Sequence, residues 1–234
     1  MKNVVITGAT KGIGRSIVLA FAAAGYHVAI CARNEADLTH FAEELHKAYP
    51  KIRVIYQACD VSDAMQLASF AEKVRHEMTV IDVLVNNAGI FLPGSVSEEE
   101  EGVFEKLFYT NVASAYHLTR ALLPNMRASE KAHIFNMCSI ASITAYANGG
   151  SYTISKFALL GFSKVLREEL KPKNIKVTAI LPGPTWSDSW QGTDLPRGRF
   201  MDPNDVAAAI LNTYHLGANA VVEELIIRPQ LGDI

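Results

Sequence analysis

Short runs of apolar, β-branched residues alternate along the chain with stretches whose apolar positions recur every three to four residues. The runs at 3–7, 27–32, 53–57, 80–86, 133–138, 176–181 and 224–228 read as strands. Several are apolar on consecutive residues, the pattern of strands covered on both faces. The stretches at about 12–24, 35–48, 62–78, 97–123, 152–170 and 203–215 read as amphipathic helices. Their ends carry signals. Gly25 reads as a C-cap glycine, Ser62 as an N-cap, and Asp202-Pro203 as an N-cap followed by proline at the first helical position. Ser97 with Glu100 reads as a capping box, which puts the acidic run 98–101 at a helix N-terminus, where it complements the dipole. Strand–helix alternation over the whole length predicts an α/β fold: one doubly wound domain spanning 1–234, with a mostly parallel sheet of about seven strands and helices on both faces. No repeat, low-complexity segment or linker interrupts it.

Composition narrows the class. The 234 residues suit one sizeable α/β domain. A hydrophobic share of 49% with 20% charged residues belongs to a globular chain, not a disordered one. A net charge of −2 without any Lys/Arg-rich run argues against nucleic acid or an anionic membrane as the main partner. Cys31, Cys59 and Cys138 match no zinc spacing and read as buried thiols in a reducing compartment. The opening run MKNVVITGAT is too short for a signal peptide, and nothing reaches membrane-spanning length, so the expected compartment is the cytoplasm.

The first strand runs into Thr7-Gly8-Ala9-Thr10-Lys11-Gly12-Ile13-Gly14, and a helix follows at once. Glycines there let the backbone approach a pyrophosphate held at the helix N-terminus. The spacing is G-x-x-x-G-x-G, not the G-x-G-x-x-G of the common dinucleotide fingerprint. The second strand ends in Ala32-Arg33, where an NAD site carries an acid for the ribose 2′-hydroxyl. Arg33 with Lys11 can instead grip a 2′-phosphate, which favours NADP(H). The rival reading is a pair of solvated surface cations. Asp60 and Val61 either bracket an adenine or simply precede the Ser62 cap. Asn86-Asn87-Ala88-Gly89 suits a ligand crevice at a strand's carboxyl end, or an Asn-rich turn.

Tyr152 and Lys156 sit four residues apart on a predicted helix and share a face. A phenol titrating ordinarily near pKa ~10 needs a positive neighbour to exchange protons near neutrality. Lys156 together with an oxidised nicotinamide can supply that field. Of eight tyrosines, only Tyr152 has lysine four residues on. Ser139 ends the strand AHIFNMC, where its hydroxyl can hold a substrate oxygen or merely close an ST-turn. It lacks a nucleophile elbow, and the seven histidines show no metal-ligand spacing, so no metal is expected.

Taken in order, TGATKGIG at 7–14, Asp60, NNAG at 86–89, Asn111, Ser139, YTISK at 152–156 and Pro182-Gly183 resemble the short-chain dehydrogenase/reductase family, in particular its NADP-preferring carbonyl reductases. The match covers nearly the whole chain. The resemblance implies that Tyr152 is the general acid or base. Lys156 would hold the nicotinamide ribose and lower the Tyr152 pKa, and Ser139 would orient the substrate oxygen. Asn111 would bend its helix and hold a water in a proton relay. It also implies that Gly8, Thr10, Lys11, Gly12, Ile13, Gly14, Arg33, Asp60, Val61, Asn87, Ala88, Gly89, Tyr152, Lys156, Pro182, Gly183 and Thr185 line the cofactor. Two departures stand out. Thr185 occupies the position flanking the carboxamide, while Ser187 keeps a hydroxyl. The substrate loop at about 183–202 is short and holds both tryptophans, Trp186 and Trp190, which either wall the pocket or anchor the loop. The implied reaction joins NADP(H) to a small carbonyl or alcohol, in a homodimer or homotetramer. The rivals are a non-catalytic NADP-binding regulator, disfavoured because the acid and its partners are all present, and a sugar-nucleotide epimerase or dehydratase, which usually carries a longer C-terminal substrate domain.

Overall fold

The computed structural model describes every residue except Asp188, Ser189 and Gln191. Strands β1 (Asn3–Thr7), β2 (His27–Ala32), β3 (Val54–Ala58), β4 (Val83–Asn86), β5 (Ala132–Met137), β6 (Ile175–Pro182) and β7 (Glu224–Ile227) form one sheet in the order β3-β2-β1-β4-β5-β6-β7. Every pairing is parallel. Between the strands run α1 (Gly12–Ala23), α2 (Glu35–Ala48), α3 (Ala64–Glu77), α4 (Val103–Phe108), α5 (Ser114–Met126), α6 (Gly150–Leu170) and α7 (Pro203–His215). No helix among the described residues is long and apolar enough to cross a membrane.

The two-residue period of the strands sorts side chains onto two apolar layers. Val4, Ile6, Val28, Ile30, Val83, Val85 and Phe135 face α1, α2 and α7, where Phe21, Leu38, Ile210 and Tyr214 pack on them. Val5, Ala29, Cys31, Leu84 and Ile134 face α3, α5 and the end of α6, against Phe70, Leu122 and Leu166. Both faces are therefore buried, which is why these strands carry continuous apolar runs and not alternating ones. The three cysteines are buried and unbridged.

Caps set the helix ends, and two differ from the sequence expectation. Gly25, at φ +82°, ends α1, with the amides of Gly25 and Tyr26 donating to Ala22 and Phe21. Asp202 caps α7 through the Asn204 amide, as expected. The N-cap of α3, however, is Asp63 and not Ser62. The Asp63 carboxylate accepts from the Met65 and Gln66 amides, while the Ser62 amide and hydroxyl both donate to Asp60.

The predicted helix 97–123 is broken. Residues 96–98 and 101–102 form turns, Gly102 stands at φ +86°, and α4 begins only at Val103. No capping box forms at Ser97 with Glu100, because the helix starts after Gly102; the neighbouring Glu99 carboxylate instead accepts from the Ser151 amide at 2.8 Å and from the Ser151 hydroxyl, at the start of α6. One member of the acidic run, Glu99, thus serves a different helix terminus from the one expected. Between α4 and α5, residues Tyr109–Ala113 wind as a single π turn with Asn111 inside it.

Candidate active site

The strand order reverses at β1, whose neighbours are β2 and β4, and the crevice above such a switch point is where open α/β sheets bind ligands. Here β1 and β4 are stitched together at their carboxyl ends. The Thr7 hydroxyl accepts from the amides of Asn87 (3.1 Å) and Ala88 (3.0 Å), and the Asn87 amide side chain donates to the carbonyls of Thr7 (2.9 Å) and Gly8 (3.0 Å). The glycine turn is packed so closely that side chains would not fit. A Cβ on Gly14 would lie 2.1 Å from the Gly8 carbonyl oxygen, and Gly8, at φ +65°, sits against Ala88.

What this turn presents is the start of α1. Lys11 precedes that helix in an extended conformation with no side-chain cap, and its first turn holds no acid. In contrast, Asn34, Asp63 and Asp202 cap α2, α3 and α7. The uncapped amides and the positive end of the α1 dipole suit an anionic group. A dinucleotide pyrophosphate therefore fits the residues present. Arg33 follows β2, is exposed, and makes no ion pair among the described residues. Lys11 lies 3.6 Å from Asp37. Val61 is buried beside Asp60, whose carboxylate accepts from Ser62 in its own turn.

Four side chains meet above the carboxyl ends of β4 and β5. Tyr152 and Lys156 lie on the first two turns of α6. The Ser139 hydroxyl lies close enough to the Tyr152 phenol to pull its pKa down. The Ser139 oxygen accepts from the Ala141 amide (3.1 Å), so the ST-turn forms and the serine proton is left to donate toward the phenol. Burial pushes the Tyr152 phenol above its ordinary value, and the Ser139 hydroxyl pulls it back only in part. In the free protein the phenol is thus set by burial and by Ser139. Lys156 is buried, donates to the Met137 carbonyl at 2.8 Å and lies 5.8 Å from the centre of the Tyr152 ring. Desolvation lowers its pKa to about 8.

Asn111 holds this group to the loop after β4. Its side-chain oxygen accepts from the Ile90 amide (2.8 Å), and its nitrogen donates to the Ile90 carbonyl (3.1 Å) and the Ser155 hydroxyl (3.0 Å). Gly89 passes so close that a Cβ there would sit 3.2 Å from Asn111 Oδ1 and 3.5 Å from Lys156 Nζ. The π turn is what lets a helix residue reach a neighbouring loop this way.

At the end of β6, the Gly183 amide donates to Ile227 and the buried Thr185 hydroxyl donates to the Gly183 carbonyl. Trp186 and Trp190 pack on the buried Phe200 at 5.2 and 4.9 Å between ring centres, contacts that anchor the loop. Asp188, Ser189 and Gln191 of the expected substrate loop lie outside the described residues. The structure adds residues that sequence reasoning missed. Thr7, Ile90, Ser155 and Glu99 support the site through partners distant in sequence, and Phe91 sets its ring edge-on to Tyr152 at 4.8 Å. Of these, only Thr7 carried a local signal, a hydroxyl closing the strand before the glycine turn.

Comparison with known proteins agrees with this geometry. Residues 2–196 match the family described as short chain dehydrogenase. The sepiapterin reductase of Chlorobaculum tepidum is 32% identical over 243 aligned positions, which cover 100% of this chain and 99% of that protein. An alcohol dehydrogenase from the archaeon Thermococcus sibiricus, solved with 5-hydroxy-NADP, superposes with a TM-score of 0.90 at 28% identity, covering 98% of this chain and 97% of the other. The L-sorbose reductase of Gluconobacter frateurii, solved with NADPH and L-sorbose, also gives 0.90 at 28% identity, covering 97% and 95%.

Proposed function

The chain belongs to the short-chain dehydrogenase family, and from that premise we propose that it is an NADP(H)-dependent oxidoreductase, moving a hydride between the nicotinamide and a carbonyl or secondary alcohol carbon. The observation that carries the reading is the Tyr152 phenol set between the Ser139 hydroxyl and a buried ammonium 5.8 Å from its ring, beside an uncapped helix start. NADPH-bound and 5-hydroxy-NADP-bound neighbours and the Arg33–Lys11 pair both favour NADP(H) over NAD(H).

Gly8, Thr10, Lys11, Gly12, Ile13 and Gly14 would hold the pyrophosphate, and Arg33 with Lys11 the 2′-phosphate. Asp60 and Val61 would border the adenine. Ala88, Gly89, Pro182, Gly183 and Thr185 would flank the nicotinamide end, with Asn87 holding the turn in place. Bound there, the reduced nicotinamide supplies the hydride. Ser139 donates a hydrogen bond to the carbonyl oxygen, and Tyr152 gives that oxygen its proton as the alcohol forms. Lys156 steadies the resulting phenolate by charge. Asn111 keeps one acceptor lone pair on Oδ1 after bonding Ile90, enough to hold a water that returns a proton by way of Lys156. In oxidation the same groups work in reverse.

Phe104, Tyr109, Tyr116, Ile154, Phe157 and Val165 leave an exposed apolar face across α4, the π turn, α5 and α6. A homodimer or homotetramer would cover it. The chain is read as one domain, with 183–202 as its substrate loop. Three unpaired thiols suit a reducing compartment, and the cytoplasm is proposed. The test is absorbance-monitored NADPH oxidation across ketones, aldehydes, ketoses and keto acids. Turnover of at least one class supports the reading, and tight NADPH binding without turnover of any class refutes it.

A further inference from the structure

Resting on the reading above, we infer that the substrate is an uncharged carbonyl compound with a flat apolar body, received against Phe91 and Tyr146 beside the Tyr152 hydroxyl, and that Phe91 is the residue that selects it. The Phe91 ring meets Tyr152 edge-on, 4.8 Å between centres at 81°, yet remains 43% exposed. Single exposed apolar side chains are ordinary. Here, however, Ile143 and Tyr146, 43% and 47% exposed, come from the loop that leads from Ser139 into α6. The Tyr146 carbonyl accepts from the Gly149 amide at 3.1 Å in the turn that opens α6, and the Tyr152 charge raises the Tyr146 pKa. Apolar surface from two loops thus converges on the proposed proton donor and stays uncovered.

The wall is held in place. Asn111 grips both backbone groups of Ile90, the residue before Phe91. The Gly94 amide donates to the Asn148 carbonyl at 3.0 Å, joining the two loops. Glu99 then ties the far end of the Phe91 loop to the Ser151 amide at the start of α6. A Cβ on Gly150, at φ +36°, would lie 2.1 Å from the Glu99 carboxylate, so the fit depends on glycine there. Phe91 is therefore presented at a set position.

Charge argues the same way. Lys156 uses one donor on the Met137 carbonyl beneath the Tyr152 ring and is assigned to the phenolate and the cofactor side, while Glu99 is held by the Ser151 amide. Among the described residues, no arginine or lysine stacks on Phe91 or Tyr146, the surface proposed to receive the body of the substrate. Ser139 and Tyr152 together satisfy one substrate oxygen. A polyhydroxylated ketose would bring several more against phenyl surface, where each hydroxyl losing water without a partner is disfavoured. A planar ring gains edge and face contacts there instead.

The experiment compares kcat/KM with NADPH for an aryl ketone, a small aliphatic ketone, an open-chain ketose and a keto acid, in the wild type and in Phe91→Ala and Phe91→Leu. Expected in the wild type is an aryl ketone preference of about 100-fold or more over the ketose and the keto acid. Phe91→Ala should cost the aryl ketone about 10-fold more than the aliphatic ketone, mostly in KM, and Phe91→Leu should restore part of the difference. NADPH affinity, followed by fluorescence, reports whether each variant is folded. A wild-type preference for the ketose or keto acid overturns the inference and leaves the hydride-transfer reading standing. So does an equal loss on both ketones in the folded Phe91→Ala variant. Absence of turnover on every class, with NADPH still bound, overturns both.

Discussion

The ammonium of Lys156 donates to the carbonyl oxygen of Met137 at 2.8 Å, two residues before Ser139. One bond therefore ties the tyrosine-bearing helix to the strand end that carries the serine. It holds the ammonium in a buried place, where burial lowers its pKa to about 8. The unfolded chain binds that proton more tightly, up to the ordinary value of 10.5. Below pH 8 both states are protonated and the native state carries the full desolvation cost, roughly 3 kcal/mol at 1.36 kcal/mol per unit. As pH rises from about 8 to 10.5 that cost disappears. Lys156→Met should therefore be inactive yet more stable than wild type at pH 7, by about 1–2 kcal/mol after losing the bond to Met137. Its advantage should shrink as the pH is raised to 10. Denaturant melts of both proteins at the two pH values check this, and a variant less stable at pH 7 contradicts it.

Tyr152→Phe keeps the ring against Phe91 and removes only the proton donor. Turnover should fall by about 10²–10⁴-fold, the range for a positioned acid or base. NADPH affinity should change little, since the pyrophosphate and 2′-phosphate contacts lie elsewhere. Steady-state rates beside a fluorescence titration separate the two effects. Retained turnover would place the acid on another residue.

Arg33 stands exposed at the end of β2 without an ion pair among the described residues, which leaves its guanidinium available for a phosphate. Arg33→Asp replaces a two-donor grip with a repelling carboxylate. NADPH affinity should drop by about 100-fold or more, while NADH binding holds or improves. The ratio of the two dissociation constants is the measurement, and an unchanged ratio removes Arg33 from the 2′-phosphate site.

Glu99 offers a test at a position whose partner is remote in sequence. Glu99→Ala should lower stability by about 1–2 kcal/mol through loss of the bonds to the Ser151 amide and hydroxyl. Glu99→Gln, which keeps an acceptor oxygen, should cost less than half of that. Urea midpoints for the three proteins decide it; equal midpoints would leave the clamp without energetic weight.

That remoteness marks what the sequence could and could not reveal. The strands, the glycine turn and the Tyr152–Lys156 spacing are local patterns, legible because strand period, helix period and close-packed glycines act within a few residues. The break in 97–123 is not local. Glu99 belongs to Ser151 and Asn111 to Ile90 and Ser155, and no pattern in the stretch itself names those partners. Ser62 and Asp63 are adjacent and equally good caps; only the bond from Ser62 back to Asp60 decides between them. The free-state Tyr152 phenol stands above its ordinary value because burial outweighs the pull of Ser139, and burial is set by the whole fold.

A last test concerns a histidine far from the chemistry. His133 opens onto the core from β5, stacks on Phe135 at 4.0 Å, and shares a 2.7 Å hydrogen bond with Thr178. The Thr178 hydroxyl donates to the Val222 carbonyl, so it accepts from His133, which fixes the proton on Nε2 and leaves Nδ1 bare and unpaired. No partner there welcomes a second proton, and burial with the nearby Lys176 and Lys131 lowers the pKa to about 3 from 6.5. Between those values the unfolded chain binds a proton that the native one refuses. Stability from this group is thus fully present above pH 6.5 and is lost as pH falls toward 3, by up to about 5 kcal/mol over 3.5 units. His133→Phe, which keeps an aromatic ring on Phe135 and cannot titrate, should show a much flatter fall in urea stability between pH 6.5 and 4. Parallel slopes for variant and wild type would mean that other groups govern acid unfolding.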